Sequence, residues 1–238
     1  MSDEYSFTRD PAQAREEGRA IDAGLRDHMQ RIYNRMALGV FTTAVVAFFV
    51  GHNNELLQLF LGGPQRWLII LAPLAIVFFG FNPARMSSNA MRISFFALSA
   101  LYGVSFAAIF VLFTGESIAQ TFFVAAAMFA GLSIYGYTTR KDLSGMGSFM
   151  IMGMWGIFVL AILNIFIEST VMGNVIAAVG IVVFAGLTAW DTQRLKEMYS
   201  ANMNPEIASR MAWMGALSLY IDFIAMFQYI LHFMGNRN

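Results

Sequence analysis

The chain has 238 residues, of which 58% are hydrophobic and 13% charged, against a charged share of roughly 25% in soluble domains. That balance argues against an ordinary soluble domain and for a polytopic membrane protein. The lack of cysteine excludes disulfides, zinc–thiolate sites and cysteine nucleophiles, while the formal net charge of zero conceals a segregation of charges toward the N-terminal end.

The first stretch is polar, with signs interspersed: Glu16, Glu17, Arg19, Asp22, Arg26, Asp27. It lacks the basic-then-apolar order of a secretory signal, so residues 1–30 read as a cytoplasmic tail and 31–238 as a transmembrane domain. A helix rising 1.5 Å per residue needs about 20 apolar residues to cross about 30 Å of hydrocarbon. Seven segments approach that measure: 33–50, 67–81, 93–113, 118–137, 149–167, 171–190 and 211–234. The second is the shortest and holds Pro73, which predicts a kink or a re-entrant half-helix there. Asn82-Pro83 then marks a turn. Connections are short except for residues 191–210. In that stretch DTQRLKEMY reads as an extension of the sixth helix, and Asn204-Pro205 as an N-cap followed by proline at the first helical position, so the seventh helix starts before its apolar run. The expected fold is all-α, a single seven-helix membrane bundle.

Basic residues set the orientation. Thirteen of the 15 Lys and Arg fall in the N-terminal stretch through Arg35 and in the second-to-third, fourth-to-fifth and sixth-to-seventh connections, and the opposite side has only Arg66 and Arg237. The N-terminus is therefore expected in the cytoplasm and the C-terminus outside. Glu55, Glu116 and Glu168 fall on the outer side, either as attractors of cations or as ordinary solvated loop acids.

Asp222 lies near the middle of the last apolar segment. An acid at the bilayer centre costs roughly 2.5–3.5 kcal/mol on insertion scales, so it usually faces a partner or a wet path. At 100° per residue Ser218, Asp222 and Tyr229 fall within about 40° of one another, with His232 at the edge, which draws a polar seam along an apolar helix. The competing reading is one buried hydrogen bond joining two helices, worth about a kcal/mol, and Tyr229 and His232 also suit interfacial anchoring. Asp191 closes the sixth segment, where it would oppose the helix dipole unless the helix continues. Two carboxylates in contact would titrate as a unit and make a proton-operated latch. Depth speaks against contact: from the outer ends of their apolar runs Asp191 lies about 30 Å in and Asp222 about 18 Å.

Three strings carry a family likeness. TTRKDLSGMG (138–147), AWDTQRLK at the end of the sixth helix and ALSLYIDFIAMF (216–227) resemble the Bax inhibitor-1 family, in particular its bacterial YccA-like members, and the resemblance covers roughly residues 30–235. It implies a seven-helix fold in which a central helix is wrapped by the others, a pH-sensitive calcium leak, and an aspartyl pair that falls on Asp191 and Asp222. It also implies an arginine beside that pair, for which Arg85 is the match and Arg92 the alternative. The second segment has no acidic residue where some relatives place a carboxylate, and NPARMSSNAMR lacks a basic cluster at that turn.

Two functions follow as expectations: a calcium leak gated by the two aspartates, or an interaction protein that restrains a membrane protease or modulates stress responses through its charged N-terminal stretch. An enzyme is not expected, since neither aspartate sits in a tyrosine-aspartate or GxGD signature. A retinal protein is not either, because Lys141 and Lys196, the only lysines, lie at loops. No cofactor or nucleic-acid partner is expected; His28, His52 and His232 fall in different regions, and calcium is the candidate permeant ion. Ala126, Ala130, Gly131, Ala177, Gly180 and Gly186 read as close-packing surfaces, and Met150, Met152 and Met154 as adaptable packing.

Overall fold

Among the described residues of the computed structural model, six helices are long and apolar enough to cross a membrane, or seven if one bent pair counts as a span. The structure describes the backbone of residues 11–236 apart from 80, 83 and 84, and side chains from residue 22 onward apart from those positions and 70, 74, 78 and 79. In chain order the helices are α1 (Pro11–Gly51), α2 (Asn54–Leu61), α3 (Gln65–Phe79), α4 (Ser88–Phe106), α5 (Ile109–Leu112), α6 (Gly115–Thr138), α7 (Ser144–Ile167), α8 (Thr170–Glu197) and α9 (Pro205–Met234). No strand occurs among the described residues, and the chain is an all-α polytopic membrane protein.

Connections supply their own helix starts. Asn53, Ser87, Thr114, Ser169 and Asn204 accept hydrogen bonds from backbone N–H groups in the first turns of α2, α4, α6, α8 and α9, each cap worth about 1 kcal/mol. Asn204 and Pro205 thus act as expected, and α8 does run on through the DTQRLKE string. The expected boundary at residue 30 lies inside α1, which crosses it unbroken.

The second span differs from its expected form. Pro73 sits inside α3 and does not end it. The break falls earlier, at Gly62-Gly63-Pro64, where α2 and α3 meet at 85°. Two glycines without side chains, followed by a proline that has no N–H to donate, make that site the weaker one. A proline within a helix at membrane depth is tolerated where neighbouring groups meet the freed carbonyl.

α9 is the centre. Of its most apolar window 67% is buried, against 33% or less in the other spans and 6% in α7. It packs against α1, α4, α6 and α8, while α7 packs chiefly on α8. Polar pegs fix this arrangement: Thr43 Oγ1 on α1 lies 2.7 Å from the Tyr220 hydroxyl on α9 and donates to the Ser99 carbonyl of α4 at 2.9 Å. Two turns before Tyr220, Trp213 lies under the Arg35 guanidinium, 4.2 Å from the ring centroid, and Arg35 donates to the Ser209 carbonyl at 2.9 Å. Apolar burial does the rest, with Phe95 ringed by Phe96, Trp213 and Tyr220.

Small residues permit the tightest contacts, though not everywhere they occur. A Cβ on Gly136 of α6 would run into the Ala189 carbonyl of α8, whereas a Cβ on Gly131 would meet nothing within 4 Å. Gly131 is therefore no part of a helix contact. Gly136→Ala is expected to cost about 1–3 kcal/mol by overpacking, and Gly131→Ala, on the same helix, to cost nothing or stabilise slightly. Melting temperatures of the two variants in detergent check the pair, and equal values would refute the close α6–α8 approach.

Candidate functional site

The chain brings its two buried acids together through a serine. Because α8 continues past the apolar run, Asp191 lies two turns inside its end, not at it, so the dipole objection falls away. Because α9 begins at Pro205, its polar residues are carried inward past the end of α8. The Ser218 hydroxyl of α9 donates to Asp191 Oδ2 in a short contact. Asp222 stands one turn further along α9 on the same face. Asp191 is 6% and Asp222 4% exposed, and among the described residues Asp222 Oδ2 has no hydrogen-bond partner. The depth difference read from the apolar runs is bridged by Ser218.

A cavity of about 640 Å³ opens on this cluster between α3, α8 and α9. Its polar lining is Asp191, Arg194, Arg210 and Ser218, and Val77 and Phe81 close the side formed by α3. Arg194 approaches Asp191 Oδ1 at 3.9 Å and rests over the Trp190 ring, 5.3 Å from its centroid. Arg210 lies 3.9 Å from Glu206.

The arginine beside the acids is thus Arg194, not Arg85. Arg85 is exposed, in the turn where its N–H donates to the Asn82 carbonyl at 3.1 Å, and Arg92 is exposed on α4. Among the described residues neither forms an ion pair with Asp191 or Asp222. Arg194 was readable in principle: on a helix that continues, positions three apart share a face.

Tyr229 does not join this cluster. It lines a separate cavity of about 360 Å³ near the C-terminal end of α9, together with Asn164, Gln228 and His232. The seam on α9 is therefore in two parts, with Ser218 and Asp222 in one and Tyr229 and His232 in the other.

The loop motif serves as an anchored corner. Gln193 of α8 accepts from the Leu143 N–H and donates to the Lys141 carbonyl, both at 2.8 Å, and Lys196 donates to the Tyr137 carbonyl at 2.8 Å. These bonds explain why TTRKDLSGMG and AWDTQRLK occur together. On the exposed side of the corner, hydrogen bonds from the Ser144 side chain and backbone N–H hold the Asp142 carboxyl below the usual carboxylate range. Among the described residues no group of three or more His, Cys, Asp or Glu is placed to hold a metal ion.

Comparison with known proteins meets the same stretch of chain. The family model described as Inhibitor of apoptosis-promoting Bax1 matches residues 25–238. The inner membrane protein YbhL of Escherichia coli is 36% identical over 224 residues, covering 90% of this chain and 94% of its own. Uncharacterized proteins of Caulobacter vibrioides and Rickettsia prowazekii are 39% and 38% identical, each alignment covering 92% of this chain.

Breaking the serine bridge has a measurable consequence. Ser218→Ala is expected to destabilise by about 1–2 kcal/mol, the range for a buried hydrogen bond to a carboxyl group. In a double-mutant cycle with Asp191→Asn, the coupling energy should be about 0.5–2 kcal/mol; strict additivity in thermal unfolding would mean that the two side chains do not interact.

Proposed function

The chain belongs to the Bax inhibitor-1 family of multi-pass membrane proteins, and on that premise we propose that it is a pH-sensitive calcium leak whose gate is the Asp191–Ser218–Asp222 cluster. The observation that carries the reading is a pair of buried acids, Asp191 lining a cavity and Asp222 behind it with an oxygen that no donor among the described residues satisfies. A structural hydrogen bond between helices needs one polar pair; it has no use for a second carboxyl that goes unsatisfied. Such a group is costly unless ion or proton traffic uses it.

The gate works through proton count. With a proton on the cluster, the Ser218–Asp191 hydrogen bond holds α9 against α8 while Asp222 stays uncharged beside it. With both acids ionised, like charges face each other in a medium of low dielectric and drive the helices apart. The charged groups at hand are Arg194 on α8 and Arg210 on α9, and α3 contributes only apolar residues to the cavity wall. This reading has the cavity and the α8–α9 connection at the cytoplasmic face and the C-terminus outside, an orientation that the positive-inside distribution supports. The membrane in question is the bacterial inner membrane, the one named for the Escherichia coli relative. The leak needs no cofactor and makes or breaks no covalent bond, so the protein is not an enzyme.

Calcium flux into proteoliposomes across a pH series tests the reading. Asp222→Asn should abolish the pH dependence, and Asp191→Asn should shift it. Flux and profile identical to the parent protein in both variants would refute the mechanism.

A second reading, a partner that restrains a membrane protease or tunes a stress response, is favoured by the charge-rich N-terminal stretch. The cut that separates the two must spare His28, which is buried with its ring 5.5 Å from that of Tyr199. Deleting residues 1–21 is therefore expected to leave the leak intact, whereas it would abolish an adaptor role measured as co-purification with the protease.

A further inference from the structure

α8 and α9 keep a single antiparallel register over three turns. Ser218 meets Asp191, and eleven residues further along α9, Tyr229 meets Gly180, which is eleven residues back along α8. Eleven residues are close to three whole turns, so both contacts fall on one face. Asp222 and Ala225 lie between them on that face. Their levels on α8 are those of Leu187 and Phe184.

The Tyr229 ring occupies a notch. A Cβ on Gly180 would stand 2.6 Å from ring carbon Cδ2, so only glycine leaves room for the ring there. Phe184 flanks it with ring centroids 5.8 Å apart. Beyond the ring is the cavity of about 360 Å³, whose wall is mostly apolar, with Phe113, Ile176 and Leu231 in it, and whose polar groups besides Tyr229 are Asn164, Gln228 and His232. An adjoining cavity of about 430 Å³ shares Asn164, Gly173 and His232, and adds Glu168 and Asn174. Glu168 holds a left-handed backbone conformation, φ 53°, and is the one non-glycine residue with positive φ among those described. At that position it lines the second, more polar chamber. Asp222 lines neither of these cavities nor the one of about 640 Å³ on the other side.

We propose that Tyr229, seated in the Gly180 notch beside Phe184, is a second closure that seals Asp222 from a polar vestibule at the α9 C-terminal face. The vestibule, with the Glu168 carboxylate, the Asn164, Asn174 and Gln228 amides and His232, receives a partly hydrated cation; this part rests on the leak reading, and the seal does not. Access from one side then ends at Ser218 and from the other at Tyr229, about 16 Å apart along α9. Asp222 stands between the two, about 10 Å from the Tyr229 level.

The chain has no cysteine, so Ala225→Cys would place its sole thiol between Asp222 and Tyr229. In proteoliposomes, with a charged maleimide applied to both faces, A225C alone is expected to label slowly. A225C with Tyr229→Ala is expected to label at least tenfold faster, and A225C with Tyr229→Phe to stay slow. Should Tyr229→Ala fail to fold, A225C with Gly180→Ala, which displaces the ring, decides with the same expected acceleration. Rapid labelling of A225C alone, or no acceleration when the ring is removed or displaced, overturns the closure. Accelerated labelling with no change in calcium flux would keep the closure and count against the leak, so the two ideas fail separately.

Discussion

The hydrogen bond from Ser218 to Asp191 ties the most buried helix to its neighbour at the level where both carry acids. Helix association in a membrane draws little from the hydrophobic effect, because lipid is as apolar as the side chains. Close packing and a few polar bridges therefore decide how α8 and α9 lie against each other. A bridge that involves a carboxyl differs from the Thr43–Tyr220 bond that pins α1 to α9, since its strength depends on a proton. The same bundle thus has fixed pegs on the α1 and α4 side and a titratable one on the α8 side.

Much of this was legible in the sequence, and the rest was hidden for identifiable reasons. Spans one and three to seven could be placed from apolar length because a bilayer imposes one length on every crossing. The break at Gly62-Gly63-Pro64 escaped, since hydropathy averages over a bend and Pro73 drew attention to the wrong site. Periodicity alone put Ser218 beside Asp222. It could not show Ser218 meeting Asp191, because depth counted from the ends of apolar runs assumes that helices begin and end with them. α8 runs past its apolar run and α9 begins before its own, and that overlap brings the two acids within about one helical turn of each other. The same assumption concealed Arg194, which becomes a neighbour of Asp191 only on a helix that continues, and left Arg85 as the candidate by resemblance.

The arginines also set limits on the electrostatics. Arg194 is 54% exposed and 3.9 Å from Asp191, a loose pair with water at one end, worth little by the measure of exposed ion pairs. It cannot neutralise Asp222, one helical turn deeper, and no other cation is bonded there among the described residues. Fixed positive charge at the cluster is accordingly limited to that loose pair, as the proposed proton-controlled gate requires. A lysine or arginine bonded directly to Asp222 would make the same geometry a permanent strut.

A path that conducts only on demand must be shut at rest, and shutting it with one barrier leaves a buried acid exposed to water from the open side. Water there would solvate Asp222 and weaken the low-dielectric repulsion on which a proton-controlled gate depends. Sealing the acid from both directions keeps it dry, so a single protonation event acts with its full electrostatic leverage. This gives the Gly180 notch a physical purpose beyond packing: a larger residue would push the Tyr229 ring out of the seam and let the vestibule reach the acid. Under the proposed leak the inner closure depends on a proton and the outer one on ring shape alone, so only the former would respond to pH. The latter would set how far water follows an ion toward the gate.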